Sequence, residues 1–200
     1  MDARFVTAAF QPDERPPEDL FELAVVGRSN CGKSSLINAL TAHKKLARTS
    51  STPGRTREII YFRVHLREGD AFHLVDLPGY GYAKVSKTQR LVWDRLVSGY
   101  IEGSDRLRAM LLLIDIRREV GDDERDLMRW CQERQLGTLV VVTKADKLPK
   151  SRRFAAASAI RHALSLPKAP LLTSVPQMLG IEVLRELVVA ELFGTTRMGS

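Results

Sequence analysis

Gly27-Arg28-Ser29-Asn30-Cys31-Gly32-Lys33-Ser34 is the stretch on which the fold turns. Its spacing, Gly-x4-Gly-Lys-Ser, is that of a phosphate-binding loop. Ahead of it runs Phe21-Glu22-Leu23-Ala24-Val25-Val26, short and mostly apolar, as a buried strand should be. Behind it, Ser35-Leu36-Ile37-Asn38-Ala39-Leu40 places Leu36, Ile37 and Leu40 at helical spacing. The glycines let the backbone curl so that consecutive N–H groups face one polyphosphate, and the helix N-terminus adds the positive end of its dipole. Lys33 supplies a point charge to the outer phosphates, and the Ser34 hydroxyl is placed to ligate Mg2+.

On either side of this loop, apolar runs alternate with amphipathic ones. A short strand is expected over Arg4 to Phe10, then a proline-broken loop through Pro12, Pro16 and Pro17. Thr41 to Arg57 is polar, basic and without periodicity, which predicts an exposed, mobile loop. Ile59–Leu66 and Ala71–Leu77 read as a hairpin turning at Arg67–Asp70. A helix is expected from Lys87 to Glu102 with Val92, Leu96 and Tyr100 on one face, then a strand over Leu107–Ile116. A helix opened by Asp122 or Asp123, a strand over Thr138–Val142, a helix over Ser151–Leu164, a strand over Pro170–Ser174 and a helix over Gly180–Phe193 complete the pattern. Apolar strands without period-two polarity, separated by helices, indicate an α/β fold with a mostly parallel sheet covered on both faces. Ligands bind such sheets beyond the carboxyl ends of the strands, which is where Gly27, Asp76, Thr143 and Ser174 fall.

Each of these positions carries chemistry. Asp76-Leu77-Pro78-Gly79 offers a carboxylate that can hold Mg2+ through water and a glycine N–H for a terminal phosphate. Thr143-Lys144-Ala145-Asp146 suits a base reader. The Asp146 carboxylate can accept from guanine N1–H and its 2-amino group, while adenine offers neither donor and would leave a buried carboxylate unpaired. The stem of Lys144 can lie along the ring, and Ser174, within Thr173-Ser174-Val175, can support the guanine carbonyl side through backbone N–H groups. Thr56 can supply a second hydroxyl to Mg2+ once a terminal phosphate draws its loop in, which is an order–disorder switch. These residues point to a guanine nucleotide with Mg2+.

The 200 residues carry 31 Lys+Arg against 24 Asp+Glu, a formal charge of +7, so a polyanionic partner such as RNA is in keeping with the balance. Cys31 and Cys131 are too few for a disulfide framework or a zinc site, and Cys131 is expected in the core beside Leu127 and Trp130. His43, His65, His73 and His162 show no ligand spacing and read as structural or surface residues. No apolar run is long enough to span a membrane and the start resembles no signal peptide, so a cytoplasmic protein with no membrane partner is expected. With no coiled-coil heptad or residual apolar patch in the pattern, a monomer is expected.

The order of motifs resembles a small GTPase. Gly27–Ser35, Thr52-Pro53-Gly54-Arg55-Thr56 and Asp76-Leu77-Pro78-Gly79-Tyr80-Gly81-Tyr82-Ala83 together resemble the EngB (YihA/YsxC) family of bacterial ribosome-biogenesis GTPases, across about residues 3–194. The resemblance implies a three-layer, Ras-like P-loop GTPase domain: a six-stranded, mostly parallel sheet with one antiparallel strand and helices on both faces. It divides the chain into an N-terminal extension packed on the domain (1–20), a GTPase domain (21–194) and a disordered tail (195–200). It implies a nucleotide site made of Gly27, Arg28, Ser29, Asn30, Cys31, Gly32, Lys33, Ser34, Ser35, Gly54, Arg55, Thr56, Asp76, Leu77, Pro78, Gly79, Thr143, Lys144, Ala145, Asp146, Thr173, Ser174 and Val175. Metal ligation falls to Ser34, Thr56 and Asp76, and catalysis to Lys33, Asn30 and Thr56. It implies, too, a GTP-gated role in assembling the large ribosomal subunit, whose rRNA and proteins are the expected partners. Arg48, Arg55, Arg57, Lys84, Lys87 and Arg90 flank the switches and are expected to meet rRNA phosphates.

Two positions depart from common small GTPases. Thr143 replaces an Asn, as it does in the resembled family, and Val175 stands where Ala or Ser is usual. Tyr80 occupies the place of the Gln that orients water in many GTPases, so slow intrinsic turnover is expected. Asn30 resembles the loop Asn of GTPases that bind K+ beside the phosphates, which suggests K+-stimulated hydrolysis. A second reading keeps the nucleotide switch but makes hydrolysis incidental, with GTP or GDP setting affinity for RNA or protein in cell division or another process. A metabolic kinase is excluded by the base reader and the lack of an acceptor-binding lid.

Overall fold

A computed structural model describes residues 1–11, 13–47, 58–67, 69–81 and 87–194. Seven strands form one sheet in the order β1-β3-β4-β2-β5-β6-β7. They are β1 (Asp2–Ala9), β2 (Glu22–Gly27), β3 (Ile59–His65), β4 (Ala71–Asp76), β5 (Leu107–Asp115), β6 (Gly137–Thr143) and β7 (Leu171–Leu172). Among the described residues only β3 runs against the other strands, antiparallel to β1 and to β4. The α/β class and the single reversed strand are as expected. The strand count is one higher, because β1 pairs with β3 from Asp2↔His65 to Ala9↔Ile59 and becomes the sheet's edge.

The helices are α1 (Lys33–Leu40), α2 (Lys87–Gly103), α3 (Asp122–Glu133), α4 (Lys150–Ala163) and α5 (Ile181–Phe193). The strands alternate their side chains between two apolar layers. Ala24, Val26, Val75, Met110, Leu112 and Val142 face Val97 and Tyr100 of α2, Leu127 and Cys131 of α3 and Ile160 of α4. Leu23, Val25, Phe62, Leu74, Leu111 and Val141 face Leu36, Ile37 and Leu40 of α1 and Leu184 and Val188 of α5. Every residue of β2 is buried, as a strand covered on both faces requires.

Three sequence expectations shift in detail. The inner face of α2 is Leu96, Val97, Tyr100 and Ile101, whereas Val92 is exposed. Leu96 and Tyr100 face the core as the spacing suggested, and Val97 and Ile101 widen the stripe beside them. The last strand shortens to Leu171–Leu172, after which Ser174 bridges back to Leu179. α3 is capped from Gly121, whose N–H donates to Glu124 Oε2 at 2.7 Å, and Asp122, Asp123 and Glu124 in its first turn suit the positive end of the helix dipole. Residues 195–200 lie outside the described residues.

At the amino ends of the strands, Glu22 is fully buried and accepts from Tyr100 Oη at 2.7 Å and Ser104 Oγ at 2.8 Å. Beside it His73, also fully buried, contacts Glu18 at 2.8 Å, which ties the segment after β1 to the sheet. The histidine is structural, as its lack of ligand spacing suggested.

Candidate nucleotide site

The register of the parallel strands lines up their ends. Val25 pairs with Asp76, Gly27 with Leu113, and Asp115 with Thr143, so the polar residues that end β2, β4, β5 and β6 share one edge. There β2 passes into the glycine-rich loop. A Cβ on Gly27 would lie 2.8 Å from the Leu113 carbonyl oxygen and 2.7 Å from Cys31 Sγ, so no larger residue fits. Asn30 and Gly32 take positive φ (62° and 100°), which turns the chain into α1 with Gly32 as its N-cap. The curl therefore aims the first free N–H groups of α1 at the mouth of the loop.

Lys33 and Asp76 meet there in a direct ion pair between Nζ and Oδ1, both side chains largely buried. An anion arriving at the loop competes for Lys33, and a cation competes for Asp76. The Ser34 hydroxyl and the Asp76 carboxylate are hard oxygen donors, and the described residues hold no cluster of three or more His, Cys, Asp or Glu. That donor set fits Mg2+, which is bound through one or two protein oxygens together with substrate phosphates. Thr56, the third expected Mg2+ ligand, lies outside the described residues, as do Gly54, Arg55, Arg48, Arg57 and Lys84.

Beyond Asp76 the chain continues to pair with the phosphate loop. Leu77 N–H donates to Val25 O at 3.0 Å, and Ser29 N–H donates to Tyr80 O at 2.8 Å. A Cβ on Gly79 would lie 3.2 Å from Ser29 Oγ, so the two loops are in contact. Trp93 Nε1 donates to Pro78 O at 2.7 Å and its ring meets Tyr80 edge-on at 5.3 Å. Tyr80 itself is buried, with Oη donating to Glu124 Oε1 at 2.9 Å. Burial, reinforced by the Glu124 carboxylate, pushes its phenol well above the ordinary tyrosine range. Tyr80 is an anchor from the Asp76–Gly79 loop to α3, and its hydroxyl is committed to that contact.

The base-reading residues converge next to α1. A cavity of about 240 Å³ is lined by Gly32, Ser35, Leu36, Thr143, Lys144, Asp146, Lys147, Thr173, Val175 and Pro176. Thr143 Oγ1 donates to Cys31 O at 2.6 Å, fastening β6 to the phosphate loop. Lys144, in the left-handed region (φ 56°), donates from Nζ to Asn30 O at 2.5 Å and lies 3.2 Å from Asp115 Oδ2. Asp146 accepts from Ser174 Oγ at 2.7 Å, and this bond, with Lys147 nearby, holds its carboxyl below the ordinary range. Two carboxylate oxygens retain lone pairs for two further donors. Ser174 acts here through its hydroxyl. Its N–H, expected to face the base, instead donates to Leu179 O at 3.1 Å.

Asp115 and its partner Arg117 escaped the sequence reading. Asp115 is 3% exposed and is gripped by Arg117 through Nε to Oδ1 (2.9 Å) and a second nitrogen to Oδ2 (2.7 Å), with Lys144 on the same oxygen. Burial opposes its charge, but these cations outweigh burial and bring its pKa down to about 2. The available signal was a lone acid ending the longest apolar strand on the edge where the motifs fall.

A parallel sheet with a phosphate loop, a carboxylate loop and a guanine-type reader on one edge defines a P-loop GTPase domain. The family model described as "50S ribosome-binding GTPase" matches residues 22–144. The chain is 45% identical over 164 residues to the probable GTP-binding protein EngB of Geobacter sulfurreducens, covering 82% of this chain and 78% of that one. It is 46% identical over 166 residues to the probable EngB of Syntrophotalea carbinolica, covering 83% and 78%. Among solved structures, a probable GTP-binding protein EngB superposes with a TM-score of 0.68 at 23% identity, over 86% of this chain and 98% of that one. Era in complex with MgGDPNP and a segment of 16S ribosomal RNA superposes with a TM-score of 0.71 at 18% identity, over 90% and 59%. The chain belongs to the EngB family of GTP-binding proteins.

Proposed function

We propose that the protein binds GTP and GDP with Mg2+, hydrolyses GTP slowly when alone, and acts in the cytoplasm as a GTP-gated factor in large ribosomal subunit assembly. The observation that carries the nucleotide half of this reading is the Asp146 carboxylate. Ser174 holds it in place, and it lines a cavity together with Gly32, Ser35 and Leu36 at the start of α1. A guanine there satisfies both carboxylate oxygens, while adenine satisfies neither. The phosphate loop N–H groups and Lys33 take the phosphate oxygens. Ser34, Asp76 and Thr56 are the proposed holders of Mg2+, which when bound would neutralise charge developing on the phosphates. Gly54, Arg55 and Thr56 are assigned to the switch that meets the terminal phosphate, and Gly79 to its N–H contact.

Slow turnover is consistent with Tyr80, whose hydroxyl is engaged by Glu124 and cannot orient water. K+ is proposed as a stimulant because the Asn30 side chain is exposed and has no hydrogen-bond partner among the described residues. Equal GTPase rates in KCl and NaCl would remove that part. The ribosomal role draws on the likeness to the 50S ribosome-binding GTPase family and on the basic residues Arg48, Arg55, Arg57, Lys84, Lys87 and Arg90 flanking the switches, with rRNA phosphates as their targets. The protein is proposed to act as a monomer, with residues 1–20 as an extension of the 21–194 domain. Co-sedimentation with ribosomal subunits in GDP and in a non-hydrolysable GTP analogue tests the gate. Large-subunit binding with the analogue alone supports it; equal binding in both states points to a tether with incidental hydrolysis.

A further inference from the structure

The net charge of this protein is almost entirely local. Between Asp146 and Glu182 there is no acidic residue, and the interval carries Lys147, Lys150, Arg152, Arg153, Arg161 and Lys168. Six of the 31 cations and none of the 24 acids fall there, leaving 25 against 24 for the rest of the chain. Helix α4 is the rigid part of this interval. Lys150, Arg152 and Arg161 are exposed on it and Lys168 is exposed just beyond it. Of the six, only Lys147 reaches an acid, Asp146 at 3.5 Å, among the described residues. Arg153 and Arg161 are steadied by Nε donation to the carbonyls of Leu148 and Leu166, at 3.0 and 3.2 Å. On α3, by contrast, Arg125 and Arg129 are each paired with an acid of their own helix.

Lys150, Phe154 and Arg161 stand at i, i+4 and i+11, one stripe of the helix about 16 Å long. Phe154 is 79% exposed, the most exposed large apolar side chain of the described residues. Around it the outer surface is small: Ser151, Ala155 and Ala159 are exposed and let a partner approach the helix backbone closely. Unpaired cations on either side of one bare aromatic ring suit a sugar–phosphate backbone with a base stacked on the ring. A membrane-surface helix would instead need several large apolar side chains on its outer face, and α4 has one.

We infer that this exposed stripe of α4, through Lys150, Phe154 and Arg161 with Lys168 beyond, is a binding surface for single-stranded RNA that works irrespective of the bound nucleotide. It goes beyond the proposed function, which places RNA contacts at the switches and makes them depend on GTP. The helix is fixed to the core by Ala157 and Ile160 and has no part in the phosphate loop or the Asp76 segment, so it presents the same charges in either state.

The test is fluorescence anisotropy of a labelled single-stranded oligoribonucleotide with the full chain, titrated over a range of KCl in GDP and in a GTP analogue. Each phosphate contact contributes about 0.7 to the slope of log affinity against log salt. The triple variant Lys150→Gln/Arg161→Gln/Lys168→Gln should therefore lower that slope by about 2 in both nucleotide states. Phe154→Ala should weaken binding about tenfold while leaving the slope as it is. A control of equal charge, Arg125→Gln/Arg129→Gln/Arg134→Gln, should leave the slope as it is, and nucleotide affinity and melting temperature report that each variant is folded. An unchanged slope in the α4 variant, or an equal fall in the control, would overturn the inference. So would tighter binding to phosphatidylglycerol vesicles than to RNA, lost with the same variant. Nucleotide-gated binding to the large subunit that survives the α4 changes, together with an unchanged RNA slope, would sink this surface and leave the proposed function standing.

Discussion

Asp115 sits between the guanidinium of Arg117 and the ammonium of Lys144, and Lys144 in turn spans the mouth of the site to Asn30 O. Replacing Asp115 by Asn removes the anion that fixes both cations. GDP affinity measured by calorimetry should fall about tenfold, or about 1.4 kcal/mol. The pH dependence has a definite sign. With its folded pKa at about 2, below the ordinary aspartate value of about 4, the ionised Asp115 contributes stability that is complete above about pH 4 and is lost as pH falls towards 2. The melting-temperature gap between wild type and D115N should be constant above that window and close within it; a gap that widens on acidification would contradict the assignment. Cys31 makes an opposite case. Burial pushes its thiol up to about 11 despite Lys33 nearby, so about one thiol in a thousand is ionised near pH 8. Alkylation by iodoacetamide should be slow in the folded protein and fast in denaturant.

Among the elements, the link from the Asp76–Gly79 loop to α2 and α3 has the clearest consequence. Trp93 of α2 holds Pro78, and Glu124 of α3 holds Tyr80, while Glu124 also satisfies Gly121 N–H at the helix start. Tyr80→Phe keeps the ring against Trp93 but leaves a buried carboxylate oxygen without its donor, at a cost of about 1–3 kcal/mol. Urea unfolding should show that loss while turnover of saturating GTP changes little. A large fall in turnover with unchanged stability would make Tyr80 a catalytic group instead of an anchor.

The elements also show where sequence is informative. The central strands were legible because burial on both faces leaves continuous apolar runs such as Leu111-Leu112-Leu113, and the phosphate loop because its glycines meet a local steric demand. β1 was visible as a strand but not as a member of the sheet. Its partner is β3, from 50 (Ala9↔Ile59) to 63 (Asp2↔His65) residues on, and no local pattern encodes that pairing. Val92 looked like core because spacing specifies a helical stripe without specifying which neighbour it meets. Ser174 and Asp115 depend on contacts across strands, with Leu179 and Lys144, and these arise only once the chain has folded.

At the scale of the whole molecule, order in space departs from order in sequence. β2 is the sheet's centre, flanked by β4 and β5, while β1 and β7 are its edges. Synthesis runs from the N-terminus, and domains fold as units as they emerge. The phosphate loop therefore leaves the ribosome early, attached to a strand whose two neighbours, Ala71–Asp76 and Leu107–Asp115, have yet to be translated. Its base-reading partners at Thr143–Asp146 and Ser174 come later still. Nascent chains stalled just beyond Asp115 should fail to crosslink a photoreactive GTP, while chains stalled far enough downstream for Ser174 to have cleared the tunnel should capture it. The first motif to be made is the last to work.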